Sequence, residues 1–155
     1  MTISIIYTSN AEKPWVDAVC TDYARKLVAP WNLNFIHINA GKRKKNAAVQ
    51  KILQEEGDKM WKLKPKNCIN IVLDRTGKSL SSTQLATTLN QYIQIGQSVN
   101  FFIGGPEGIS AELIAKADLK ISLSALTFPH PMVRVIIAEQ IYRAWSIIHN
   151  HPYHR

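Results

Sequence analysis

Cysteine is nearly absent: Cys20 and Cys68 are the only two in 155 residues, and neither sits in a CxxC spacing. That pattern favours two buried free thiols over a disulfide or a thiolate metal site. Long apolar runs are missing too. The stretches around Ile71 and Phe101 fall far short of the roughly 20 residues a membrane-spanning helix needs, so no membrane association is expected. Met1 to Tyr7 carry no basic region and read as a core strand, which predicts no cleaved signal and a cytoplasmic location. Internal repeats and low-complexity linkers are lacking, which predicts one domain over 1–155. Acidic side chains are the minority, 11 against 19 Lys plus Arg, for a formal charge of +8.

What is present is enough to build a core. A hydrophobic share of 46% with 19% charged residues is too apolar for a disordered chain, and a domain of this length buries about two-thirds of its unfolded surface. The basic excess is uneven. Residues 1–66 hold 12 Lys and Arg against 6 acids, whereas 67–155 hold 7 against 5. Two clusters make the difference: Lys42, Arg43, Lys44 and Lys45 after Gly41, then Lys59, Lys62, Lys64 and Lys66 around Trp61. Adjacent cations of this kind suit a phosphate backbone, since counterion release drives such binding, although a solvated face fits the composition equally. Charge reversal at Lys42 to Lys45 is expected to weaken binding to such a polyanion.

Periodicity predicts alternating strands and helices. Thr2 to Tyr7, Leu33 to Ile38, Cys68 to Leu73, Ser98 to Ile103 and Leu119 to Leu123 are short runs rich in β-branched or aromatic residues and read as strands. Val16, Val19, Cys20, Tyr23 and Leu27 share one helical face, and Pro14 suits the first turn. A second helix is expected from Asn46, as its cap, to about Trp61, with a break near Gly57. Ser81 and Gln84 form a capping box for a third helix reaching Ile95, with Gly96 placed to end it. A short fourth helix follows Ser110. The last, opened by Pro131 and running to about His149, is apolar nearly all round and needs cover on more than one side, which predicts packing against a second subunit.

Such βα alternation implies an open, mainly parallel α/β sheet whose ligands lie beyond the carboxyl ends of the strands. Three segments occupy such ends: Asp74 to Lys78, Gly104 to Gly108 and Ser124 to His130. In Gly104-Gly105-Pro106-Glu107-Gly108 the backbone is free to approach a ligand closely, although the pattern is neither a P-loop nor a GxGxxG fingerprint, and a plain tight turn also fits. Leu123-Ser124-Ala125-Leu126-Thr127-Phe128 is apolar where a loop is normally polar. A buried loop there would need partners for its amides, and the edge of a flat heterocycle would provide them. The terminal histidines His149, His151 and His154 lack a carboxylate or thiolate companion, so no metal is expected.

At this point the motifs become specific. Phe102-Ile103-Gly104-Gly105-Pro106-Glu107-Gly108, Leu123-Ser124-Ala125-Leu126-Thr127, Pro129-His130 with Arg134, Tyr142-Arg143-Ala144-Trp145-Ser146-Ile147 and Asn150-His151-Pro152-Tyr153-His154 resemble the RlmH family of the SPOUT superfamily, ribosomal large-subunit pseudouridine N3-methyltransferases. The likeness covers the whole chain. It implies a SPOUT-type α/β knot, in which the C-terminal part threads into a deep trefoil, against the general rule that chains avoid knots. It also implies a homodimer, S-adenosylmethionine as methyl donor with S-adenosylhomocysteine as product, and 23S ribosomal RNA in the large subunit or 70S ribosome as substrate. The family's cofactor site maps onto Leu73, Gly104, Leu123, Ser124, Ala125, Leu126, Thr127 and Phe128, the last standing where Leu is common. Methylation at N3 must displace an imide proton. Arg143 is the candidate for stabilising the resulting imidate, and His130, Glu139, His151, Tyr153 and His154 are candidates for proton removal or base positioning. Glu139 and Arg143 also fit an ordinary i, i+4 ion pair. A SPOUT enzyme acting on another RNA or base atom, and a basic RNA-binding module without catalysis, are the alternatives.

Overall fold

The computed structural model describes residues 1–10, 13–41 and 48–154. In chain order these form β1 (Thr2–Ser9), α1 (Pro14–Lys26), β2 (Asn32–Asn39), α2 (Val49–Leu63), β3 (Cys68–Ser79), α3 (Ser82–Gln94), β4 (Ser98–Ile103), α4 (Ala111–Lys116), β5 (Leu119–Ser122) and α5 (His130–Ile148). The five strands make one parallel sheet in the order β2-β1-β4-β3-β5. Parallel neighbours require crossovers, and the helices that supply them cover both faces.

Side-chain alternation along the strands divides the core in two. Ile3, Ile5, Ile71 and Phe101 face the larger layer with Val16 of α1, Leu89 of α3 and Ile141 of α5. Ile6, Val72 and Phe102 face the smaller one with Met60 of α2 and Leu113 of α4. The helix that leaves β1 therefore goes to one face and the helix that leaves β4, its neighbour, goes to the other. Adjacent strands whose connections part in this way leave a crevice between their carboxyl ends, where open α/β sheets bind ligands.

Most local signals act as read. Ser81 Oγ accepts the Gln84 amide at 3.1 Å while Gln84 Oε1 accepts the Ser81 amide at 2.8 Å, and Gly96 leaves the helix at φ +72°. Four expectations need correction. The second helix runs through Gly57 without a break. That glycine is instead a close approach: a Cβ there would lie 2.5 Å from Ser110 Oγ, which is held by the Leu113 amide as the cap of α4. The expected cap Asn46 lies outside the described residues, and Ala48 occupies the cap position. The third strand does not stop at Leu73. Both Leu73 and Lys78 pair with Ile121, so the intervening residues bulge outward and the ladder resumes to Ser79. Cys20 is buried as expected, but Cys68, at the exposed start of β3, is only half-buried.

Candidate functional site

Parallel register brings the carboxyl ends of four strands to one rim: Tyr7 pairs with Ile103, Ile103 with Leu73 and Leu73 with Ile121. The segments after β3, β4 and β5 thus meet there, as the sequence predicts. After β4 the chain turns tightly, with the Gly108 amide donating to Gly105 O at 2.9 Å. A Cβ on Gly104 would stand 2.1 Å from Gly108 O, so only glycine fits. Gly108 itself has φ +91°, which disfavours a side chain. The bulge of β3 is equally close, since a Cβ on Gly77 would fall 2.4 Å from the Ile121 backbone. Its first residue, Asp74, accepts from the Thr76 amide at 2.8 Å and hydroxyl at 2.5 Å. Burial pushes the Asp74 carboxyl up, but those bonds together with Lys120 and Arg75 outweigh it and hold the group below its ordinary value.

The loop after β5 differs from expectation in one respect. It is not buried: Ala125, Leu126 and Thr127 are exposed, with Leu126 at 73%, and β5 ends at Ser122. Among the described residues, nothing covers positions 125–127. Ser122 Oγ donates to Ser124 O at 3.0 Å and Ser124 Oγ accepts the Leu126 amide at 2.9 Å, which curls the loop over the strand end. Among the described residues, no backbone–backbone hydrogen bond engages the main chain of residues 125–128. Main-chain groups without backbone partners, beside bared apolar side chains, suit a flat, hydrogen-bonding heterocycle, and the residues present fit an adenine ring.

Beside this loop, α5 begins. His130 Nε2–H donates to Thr8 O at 2.6 Å, which ties the helix start to β1 and fixes the ring. A small, open cleft lies here, lined by Tyr7, Ser9, Lys13, Ile103, His130, Pro131 and Arg134. Of these, the sequence singles out His130 as a candidate and places Arg134 in a family motif. The missed signal was positional: the end of the first strand is as much a ligand-bearing end as the three that were considered.

The remaining expected catalytic residues lie elsewhere. α5 rises about 1.5 Å per residue, which puts Arg143 about 20 Å from His130 along the helix. Past its end, Asn150 at φ +52° turns the chain, with His151 N–H donating to Ser146 O at 2.8 Å and Asn150 N–H to Ile147 O at 3.3 Å. The tail folds back along α5. There Arg143 Nη2 and Glu139 Oε1 pair at 2.7 Å, Tyr153 OH donates to the same Oε1 at 3.0 Å, and Arg143 Nη1 reaches His154 Nδ1 at 3.4 Å. Glu139, Arg143, Tyr153 and His154 are therefore one cluster, and Glu139 with Arg143 is also the i, i+4 pair anticipated. His151 stands next to it, its ring 5.4 Å from that of Trp145. Burial, then hydrogen bonds to Tyr23 and Glu139, push the Tyr153 phenol far above its ordinary value, so it keeps its proton and acts as a donor. The Glu139 carboxylate raises the Arg143 guanidinium further and keeps it charged. Lys42, Arg43, Lys44 and Lys45 lie outside the described residues. Lys64 packs its ammonium 4.4 Å from the Trp61 ring, a local role for one of the second basic cluster. Among the described residues, no three His, Cys, Asp or Glu side chains gather closely enough to hold a metal ion, and no helix is long and apolar enough to cross a membrane.

Comparison with known proteins agrees with this architecture. Two proteins named Ribosomal RNA large subunit methyltransferase H align over all 155 residues. That of Thioalkalivibrio sulfidiphilus (strain HL-EbGR7) is 44% identical with 99% of its length covered, and that of Coxiella burnetii (strain Dugway 5J108-111) is 46% identical with 100% covered. A solved structure of a probable methylase family protein from Haemophilus influenzae Rd KW20 superposes with a TM-score of 0.58 at 11% identity, over 99% of this chain and 70% of that one, a likeness of fold. The sequence profile described as "Predicted SPOUT methyltransferase" matches residues 1–154, and the chain belongs to that SPOUT methyltransferase family.

Proposed function

We propose that this chain is an S-adenosylmethionine-dependent methyltransferase of the large ribosomal subunit, acting as a homodimer on N3 of a pseudouridine in 23S ribosomal RNA. The observation that carries the activity is the full-length likeness to two proteins named as methyltransferases of that RNA. When bound, the cofactor supplies an electrophilic methyl group. Leu73, Gly104 and residues 123–128 hold it, the glycines letting backbone approach and the apolar side chains excluding water. The family reading also implies a trefoil knot in the C-terminal part of the chain.

Distance supports the dimer. A tail cluster about 20 Å along α5 from the cofactor rim cannot serve that rim in its own chain. In the proposed dimer the tail of one protomer faces the rim of its partner, which also covers Leu126 and the apolar flank of α5. Arg143, kept charged by Glu139, stabilises the imidate that forms at N3, and Tyr153 donates a hydrogen bond to Glu139 that holds the cluster in place. Glu139, His130, His151 and His154 remain the groups able to take the imide proton. Ribosomes place the enzyme in the cytoplasm, and Lys42 to Lys45 supply further contacts to RNA phosphates.

Calorimetry with S-adenosylmethionine, followed by mass mapping of methylated RNA with unmodified uridine as control, tests the reaction; absence of cofactor binding would leave a plain RNA-binding module. Mixing tests the dimer. Arg143→Ala should lower kcat at least about 100-fold with cofactor Kd unchanged, as expected for losing a group that meets developing charge. Combined with inactive Gly104→Ala chains, it should recover about a quarter of wild-type activity in hybrid dimers on the statistics of mixing. No recovery would place tail and rim in the same chain.

A further inference from the structure

The cleft between the ends of β1 and β4 shares no lining residue with Leu73, Gly104 and residues 123–128, and its chemistry is one-sided. Lys13 and Arg134 line it, and among the described residues no Asp or Glu does. Arg134 is 6% exposed and rigid, with Nη2 on Asp17 Oδ1 at 2.7 Å and its guanidinium 4.1 Å from the Tyr7 ring centroid. Asp17 engages one nitrogen of a group with five N–H donors, so the ion pair orients the fork without exhausting it. Ser9 adds a neutral donor. His37 Nε2 lies 2.9 Å from Ser9 Oγ and 3.3 Å from Ser9 O; a carbonyl only accepts, so Nε2 carries the proton, Ser9 Oγ accepts, and the hydroxyl hydrogen is left to donate.

We propose that this cleft is a phosphodiester subsite for the RNA strand, resting on the methyltransferase reading above. A rigid guanidinium, an exposed ammonium and a hydroxyl around one space match the oxygens of a phosphate, which takes Arg as a fork and Lys as a point charge. Tyr7, Ile103 and Pro131 supply an apolar wall for the attached sugar. The cleft occupies the crevice where the connections from β1 and β4 diverge, and Ile103 directly precedes Gly104. A phosphate held here sets the neighbouring nucleotide beside the cofactor loop. Such backbone contacts fix register and leave base choice to other groups.

The test is Lys13→Gln, an exposed position whose helix-starting role is made by its carbonyl, which Gln retains. Binding of a 23S hairpin is titrated across salt concentrations, with melting temperature as a control for folding. The expected result is affinity about tenfold weaker at 0.1 M salt and a log–log salt slope smaller in magnitude by about 0.7 to 0.9, one phosphate contact, with S-adenosylmethionine Kd unchanged. In a second arm, uridine monophosphate and inorganic phosphate are titrated against the His130 ring signals; both should shift them in the wild type and not in Lys13→Gln. An unchanged slope overturns the proposal, as does phosphate binding that leaves the slope untouched, which would make this a site for free anions. A weaker cofactor Kd in the variant would assign the cations to the cofactor's carboxylate and also overturn it. Because the titration reads binding and not turnover, a protein with a Lys13-dependent slope that methylates nothing would sink the methyltransferase reading and leave the subsite standing.

Discussion

The rim of the sheet and the tail of α5 are built in opposite ways. At the rim, backbone packs on backbone: Gly104 against Gly108 and Gly77 against Ile121, with residues 125–127 left open to solvent. At the tail, rings pack on rings. Tyr142 stacks on Trp145 at 5.6 Å and meets Tyr153 at 4.7 Å, while Trp145 stacks on His149 at 4.9 Å. A site made of main chain offers hydrogen bonds that no substitution alters but tolerates no added carbon. A site made of side chains tolerates backbone adjustment but depends on each ring.

That contrast breaks most visibly at Gly104. Gly104→Ala places a carbon where Gly108 O stands, so the loop must shift, and cofactor binding by calorimetry should fall below detection while the tail's near-ultraviolet dichroism persists. Trp145→Ala is the reciprocal experiment and should destabilise the protein by about 3 to 5 kcal/mol, as removal of a large core aromatic does. Denaturant unfolding measures it, and limited proteolysis should show the tail freed before the rim; simultaneous loss of both would erase the distinction. The smallest effect belongs to a residue outside both regions. Burial raises the Cys20 thiol from 9.0 to about 11, with Arg134 opposing and Asp17 adding to the shift. The neutral thiol is thus favoured in the folded state. Its contribution is fully present below pH 9 and is lost as pH rises through about 11, worth at most about 2 to 3 kcal/mol. Melting temperature followed from pH 8 to 11 should fall more steeply in the wild type than in Cys20→Ala; equal slopes would mean the thiol ionises as freely folded as unfolded.

The strands and most helices were legible because their signals are local. The capping pair Ser81 and Gln84, the proline at the start of α1 and the two-residue alternation through Phe101 and Phe102 all act within a few positions. Gly57 misled for the opposite reason, since its partner Ser110 is distant in sequence and a glycine read alone suggests a break. The second half of β3 was illegible because a bulge with polar residues looks like a loop until its partner strand is known. Of the candidate site, the three glycine-rich or apolar rims were found, whereas the cleft of Ser9, Lys13 and Arg134 was not. Its residues come from the end of β1, the cap of α1 and the first turns of α5, and no spacing rule connects them.

The amino-acid sequence by itself determined the elements, their order, the basic bias and the motifs by which the family is recognised, because propensity, capping and hydrophobic period depend on neighbours in the chain. Only the tertiary structure decided which ends share a rim, that Glu139, Arg143, Tyr153 and His154 form a cluster far from it, and that residues 125–127 stay uncovered. Those relations depend on strand order and on the length of a helix, distances that no local pattern encodes.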